Sequence, residues 1–215
     1  MLDEIHCPLC MGIEITPYSS DRRRSYLCCG TCRLVFVPPK WHLSRSAEKA
    51  EYELHQNKID DPGYRKFLSR LMCPLIERLA AGAQGLDFGC GSGPALAHML
   101  RENGFHVSLY DSFFMCDERT LNASYDFICA TEVVEHLHHP AQELQHLWSL
   151  LRPGGWMGVM TKLVLDHTAF SRWHYKNDPT HVCFFSADAW RWWAHDHGAS
   201  LEIIGADVIL LQRMR

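Results

Sequence analysis

The chain has 215 residues, 47% hydrophobic and 21% charged, with ten cysteines and a net charge of −4. That is enough for one ordinary domain and a small appendage, and it excludes a disordered or fibrous chain. No window nears the ~18 uncharged apolar residues of a membrane span, and the acidic balance gives no support to a broad nucleic-acid surface.

The N-terminus, "MLDEIHCPLC", has neither a basic n-region nor an apolar h-region, so no secretory signal is expected. Ten scattered cysteines without a leader point to a reducing compartment, and the expected location is cytoplasmic. Residues 1–40 hold "CPLC" and "CCGTC", two C-x2-C turns with 18 residues between them. That spacing suits a four-thiolate zinc site, with Cys7, Cys10, Cys29 and Cys32 as the ligands of a zinc-ribbon-like module. Four thiolates leave no open position for water, so this Zn2+ is expected to be structural. Residues 1–45 carry six Lys/Arg against four acids, and the excess of acid lies in the remainder. The run "DRRR", Asp21–Arg24, reads as a solvated loop tip.

Residues 41–84 read as a helical linker or lid. "SRSAEKAEYELHQN" places Glu48, Tyr52 and His55 on one face. After the breaker "DDPG", Leu68, Leu71, Met72, Leu75 and Leu79 form an apolar stripe, with Pro74 expected to kink it. His55, Asn57 and Tyr64 are candidates to cover a bound ligand.

Residues 85–215 alternate strand and helix. "GLDFG", "HVSLYD", "YDFICAT" and "WMGVMTKLV" are short buried strands, and "AQELQHLWSLL" is an amphipathic helix. "LRPGG" reads as a helix stop and turn, and "SADAWRWWAHDHG" as a last helix capped by Ser186. "LEIIG" and "DVILLQRM" should close as a hairpin. The alternation predicts an α/β, doubly wound, mostly parallel sheet with an antiparallel C-terminal hairpin.

Gly89, Gly91 and Gly93 follow the first of these strands directly, where backbone can approach a ligand at the carboxyl ends of the strands. Position 94 is proline where a nicotinamide fingerprint needs a small residue, and no lysine follows as in a phosphate loop. Asp87 lies in the strand before the loop, where it can face a cationic group. Asp111 ends the second strand, where an acid can accept ribose hydroxyls.

With these residues the chain resembles the class I S-adenosylmethionine-dependent methyltransferases over about residues 85–213. "LDFGCGSG" looks like their first motif, "VSLYD" like the second-strand acid, "YDFICATEVVEHL" like the fourth-strand motif and "LLRPGGWMGVMT" like the turn into strand five. The resemblance implies a Rossmann-like methyltransferase domain binding S-adenosylmethionine (SAM). It implies cofactor contacts from Asp87, Gly89, Gly91, Gly93 and Asp111, with Thr131 and Glu132 beside them. One departure has a structural consequence. Only 13 residues, Ser112–Ser124, lie where the family fits a helix and an edge strand, so the third strand is expected to be reduced or absent. Phe113 and Phe114 are then the candidates to cover the adenine.

Methyl transfer from a sulfonium needs a base only where the acceptor must lose a proton. His136 and His181 are the expected catalytic residues, because imidazole titrates near neutral pH. The leading reading is transfer to a small-molecule acceptor, aromatic or quinone-like, on the strength of Trp173, Tyr175, Phe184 and Phe185. A second is an RNA methyltransferase that uses the zinc ribbon, with Arg22–Arg24, Lys40 and Trp41, as RNA grip; overall acidity counts against nucleic acid. A third is a catalytically silent SAM-binding module.

Overall fold

A computed structural model of the protein describes residues 5–54 and 58–214; of the expected lid residues, His55 and Asn57 lie outside the described residues. The first segment folds as β1 (Ile15–Ser20), β2 (Ser25–Cys29) and β3 (Val35–Phe36), an antiparallel meander. Two helices follow. In α1 (Arg45–Glu53) the Ser44 hydroxyl caps the N-terminus by accepting from the Ala47 amide. In α2 (Pro62–Ile76) Asp61 does the same for Tyr64, and Pro62 takes the first helical position, where its missing N–H is no loss.

The rest of the chain forms β4 (Gln84–Phe88), α3 (Ala95–Glu102), β5 (His106–Tyr110), β6 (Tyr125–Thr131), α4 (Pro140–Leu150), β7 (Leu151–Met160), α5 (His167–Ser171), β8 (Cys183–Phe184), α6 (Ala187–Asp196), β9 (Ala199–Ile204) and β10 (Val208–Arg213). The large sheet has the order β5-β4-β6-β7-β10-β9. Its first four strands are parallel, and β10 lies antiparallel between β7 and β9. Strand side chains alternate between faces, and the core divides accordingly. Phe127 and Cys129 of β6, with Leu210 of β10, pack with Leu68, Leu71 and Leu75 of α2 and with α3. Ile128, Ala130, Ile209 and Leu211 face the other way, toward Leu144, Leu147 and Trp148 of α4 and Trp190 and Trp193 of α6.

Between Asp111 and Tyr125 there is one short 3-10 turn, Glu118–Asn122, and a single bridge, Asp111 to Met115. The expected third strand is absent among the described residues, and β5 is the sheet edge. The turn expected at "LRPGG" is not a separate element. Helix α4 ends at Leu150 and β7 begins at Leu151, while the ladder to β6 slips between Tyr125 and Phe127. Gly154, at φ +85°, absorbs the irregularity inside the strand.

The small sheet has the order β1-β2-β3-β8, so its fourth strand comes from the far end of the chain. Its aromatic side chains join the same core as α4 and α6. Arg24 is not at a solvated tip: it is 6% exposed. Its Nη2 donates to the carbonyls of Lys176 and Asp178 at 2.8 Å each, its Nη1 to the Pro179 carbonyl at 3.1 Å and its Nε to the Tyr26 hydroxyl. Arg23 donates to the Asn177 carbonyl at 2.7 Å, and Lys176 pairs with Asp21 at 2.9 Å. The first segment thus clamps the loop at residues 176–179. Arg24→Ala removes these charge-assisted bonds and leaves buried carbonyls unpaired. It should lower unfolding free energy by about 3 kcal/mol, read as a shift in urea midpoint. Arg24→Lys should recover little, because an ammonium cannot span the three carbonyls.

Candidate functional site

A cavity of about 1090 Å³ opens at the carboxyl ends of β4, β5 and β6. Arg45 and Tyr52 of α1 and Tyr64 and Phe67 of α2 form one wall, and the segment 174–181 forms another. All eleven expected cofactor and catalytic residues line it: Asp87, Gly89, Gly91, Gly93, Asp111, Phe113, Phe114, Thr131, Glu132, His136 and His181. Tyr175 also lines it. The other expected acceptor-side aromatics do not: Phe184 and Phe185 are core residues at β8, and Trp173 packs against that core.

The glycine loop is shaped by two left-handed residues, Gly89 at φ +71° and Gly91 at φ +63°. At Gly89 a Cβ would sit 2.4 Å from Val133, whereas at Gly91 it would meet nothing within 4 Å. Gly89 therefore serves close packing of two loops, and Gly91 leaves backbone open to the cavity. Asp111 organises both neighbouring loops. Its Oδ2 accepts from the Gly91 amide at 2.9 Å, and its Oδ1 from the amides of Phe113 and Phe114 at 2.8 and 3.0 Å. Phe113 faces α1: the Arg45 guanidinium lies 4.7 Å from its ring centroid, and Tyr52 meets it edge-on at 5.5 Å. Asp87 is buried and accepts from the Ala97 amide. Burial pushes its carboxyl up to about 7, so the cleft floor favours a ligand that brings positive charge.

The inner end of the cavity holds a tighter group. Glu132, directly after β6, sits at φ +52°, a backbone state that only surrounding structure can impose on a glutamate. The Tyr175 hydroxyl donates to Glu135 Oε1 and lies within bonding distance of Glu132 Oε2 and Thr161 Oγ1, each at 3.3 Å. Burial drives both carboxyls up from the usual glutamate range, and at Glu135 the neighbouring Glu132 charge adds to the effect. The His136 and His181 rings meet edge-on at 4.6 Å. His181 Nδ1 donates to the Tyr175 carbonyl at 2.8 Å, and its Nε2 lies 3.8 Å from Asp178 Oδ2. Sequence reasoning placed Tyr175 among the aromatics but missed that its hydroxyl joins two carboxylates; nothing in "WHYKNDPTHV" signals it.

The four expected thiols gather outside the lining of this cavity. Cys7, Cys10, Cys29 and Cys32 place their sulfurs within 4.8 Å of one another, with Cys7 to Cys32 at 3.5 Å and Cys10 to Cys29 at 3.4 Å. Sulfurs about 2.3 Å from one tetrahedral Zn2+ stand roughly 3.8 Å apart, so the donor set fits that ion. The two turns match: Met11 and Arg33, each just after the second cysteine, adopt positive φ, and their amides donate back to the carbonyls of Cys7 and Cys29. Cys28 points elsewhere, its thiol toward the Cys29 carbonyl.

The family model described as a methyltransferase domain matches residues 64–202. No curated protein matches the chain in sequence. Among solved structures, the fold is similar to 1,6-didemethyltoxoflavin-N1-methyltransferase of Burkholderia thailandensis, bound to 1,6-didemethyltoxoflavin and S-adenosylhomocysteine. That likeness has a TM-score of 0.57 at 16% identity and covers 93% of this chain and 99% of the other. An O-methyltransferase family protein from the same organism gives 0.49 at 16% identity, over 68% and 56% of the two chains.

The two loop glycines should respond differently to alanine. Gly91→Ala should lower stability by only about 1–2 kcal/mol of left-handed strain. Gly89→Ala adds the collision with Val133 and should lose roughly 3 kcal/mol or more. Denaturant midpoints of the two variants measure the difference, and equal losses would contradict the close packing at Gly89.

Proposed function

Since the chain belongs to the methyltransferase-domain family, we propose that it moves a methyl group from SAM to a small-molecule acceptor. The observation that carries this reading is the cavity at the carboxyl ends of the strands, lined by the glycine loop, Asp111 and both histidines. Gly91 and Gly93 would hold the methionine portion and Asp111 the ribose. Phe113 and Phe114 would cover the adenine in place of the missing strand. When bound, SAM supplies a methyl group on a sulfonium, already activated for in-line displacement. The chain's own task is to orient the acceptor and keep water out, which α1 and the loop at 174–181 can do. The chain's residues would hold the acceptor heteroatom in line with that methyl group, and His136 and His181 would take the acceptor's proton. The small molecule held by the Burkholderia enzyme of similar fold supports that acceptor class. An RNA grip is less well supported, because Arg23 and Arg24 are engaged inside the chain.

We further assign one structural Zn2+ to Cys7, Cys10, Cys29 and Cys32. Metal-bound thiolates and cysteines outside disulfides suit a reducing compartment such as the cytoplasm. No helix among the described residues is long and apolar enough to cross a membrane.

S-adenosylhomocysteine should raise the thermal midpoint, by the equivalent of about 2.7 kcal/mol at a hundred times its Kd. Asp111→Ala should abolish that shift. His136→Ala and His181→Ala should keep it, yet lose methyl transfer by about 10²-fold or more in a screen of small-molecule acceptors. A chain that S-adenosylhomocysteine leaves unmoved would refute the assignment. Separately, elemental analysis should find one zinc per chain, absent from Cys29→Ser, with a lower melting point in that variant.

A further inference from the structure

The sheet order sets the ends of β5 and β7 three strand spacings apart, roughly 14 Å. Asp111 closes β5 and the glycine loop follows β4, so the nucleoside and methionine portions of the proposed cofactor belong to the β5–β4 side. The β7 side is left to the acceptor. Lys162 lies there, just past the end of β7 at Met160, and lines the cavity with His174 and Tyr175. We infer that Lys162 selects the acceptor, its ammonium binding the carboxylate of a small aromatic acid. That the bound acid is the methyl acceptor rests on the methyltransferase reading; the anion subsite does not.

The contacts around Lys162 fix where its charge stands. The backbone is pinned on both sides of it. The Thr161 amide donates to the Asp207 carbonyl at 2.9 Å, and the Val164 amide to the Phe185 carbonyl at 2.8 Å. Lys162 Nζ lies 5.1 Å from the Tyr175 ring centroid and donates to His174 Nε2 at 3.3 Å. An ammonium has three protons and no acceptor. One goes to the imidazole, which leaves two for a ligand, the number that two carboxylate oxygens can take up.

No carboxylate of the chain answers this charge. Lys162 forms no ion pair among the described residues, and the neighbouring Asp207 is taken by Arg70 at 2.8 Å. Glu132 feels Lys162 through space rather than by contact, and burial pushes its carboxyl up to about 7, which weakens its hold on the ammonium. A half-buried ammonium without an anion beside it favours a ligand that brings one. A single point charge matches a carboxylate; a phosphate would call for further cationic donors. The arginine that lines the cavity, Arg45, stands over Phe113 on the β5 side instead. Tyr52, Tyr64, Phe67 and Tyr175 also line the cavity, and their rings offer flat apolar surface to an arene.

The probe is benzoate, with benzamide as its uncharged counterpart. Each is titrated into the full chain and followed by nuclear magnetic resonance, with and without saturating S-adenosylhomocysteine. One benzoate per chain should bind at least about tenfold more tightly than benzamide, and Lys162→Met should bring the two to equal affinity. Lys66→Met removes the same charge from an exposed position outside the cavity lining and should leave the preference unchanged. A thermal midpoint close to that of the parent chain qualifies each variant, and Lys162→Gln replaces a methionine variant that does not fold. Benzoate that S-adenosylhomocysteine displaces would assign Lys162 to the cofactor's own carboxylate and overturn the inference. Absent or equal binding of the two probes by the parent chain would do the same, as would a preference that survives in folded Lys162→Met. A Lys162-dependent preference in a chain that ignores S-adenosylhomocysteine would keep the anion subsite and remove the methyltransferase reading.

Discussion

The guanidinium of Arg24 is the contact on which the two parts of this molecule depend. A loop that leaves regular structure inside a protein must find partners for its carbonyls. Here three carbonyls of one short loop, those of Lys176, Asp178 and Pro179, find them in one planar fork from the N-terminal meander. The loop so held carries Tyr175 and His181 to the inner wall of the cavity. The cysteine cluster lies outside the cavity lining, yet the two are mechanically joined. The cluster fixes the meander, the meander presents Arg24, and Arg24 sets the wall that faces the acceptor.

On the opposite wall, the short span after β5 changes how a nucleoside site can be built. With no third strand, nothing from the sheet lies beyond Asp111. Its carboxylate instead gathers the amides of Gly91, Phe113 and Phe114, tying the glycine loop to the segment that replaces the strand. Helix α1 then closes over that segment through Arg45, which donates to the Ser112 carbonyl at 3.0 Å and lies over the Phe113 ring. A side-chain cover has taken the place of a backbone one.

Much of this was legible in the sequence because it follows from periodicity and spacing. The period-2 strands, the capped helices, the glycine positions and the four paired cysteines each express a local rule. The missing strand was legible too, since 13 residues cannot hold a helix and a strand. What local rules could not reach was the pairing of β3 with β8. A two-residue strand has no period to detect, and its partner lies at the other end of the chain. The same blindness put Arg24 at a solvated tip and Phe184 and Phe185 at the acceptor wall. Arg24 bonds a carbonyl 152 positions away, and Phe184 pairs with Val35 across the seam. The Tyr175 hydroxyl between two glutamates belongs to the same class: only three-dimensional convergence gives it meaning.

The β3–β8 seam also has a consequence for how the polypeptide is made. Synthesis runs from the N-terminus, so the cysteine-bearing meander emerges early with its outer strand unpaired and its arginine unanswered. Both wait until the segment from Lys176 to β8 has been made. Contacts this distant in sequence form slowly, because a long loop must close before they reward it. The wall at 174–181 is therefore assembled late relative to the meander, and a nascent chain carries an open strand edge until β8 follows.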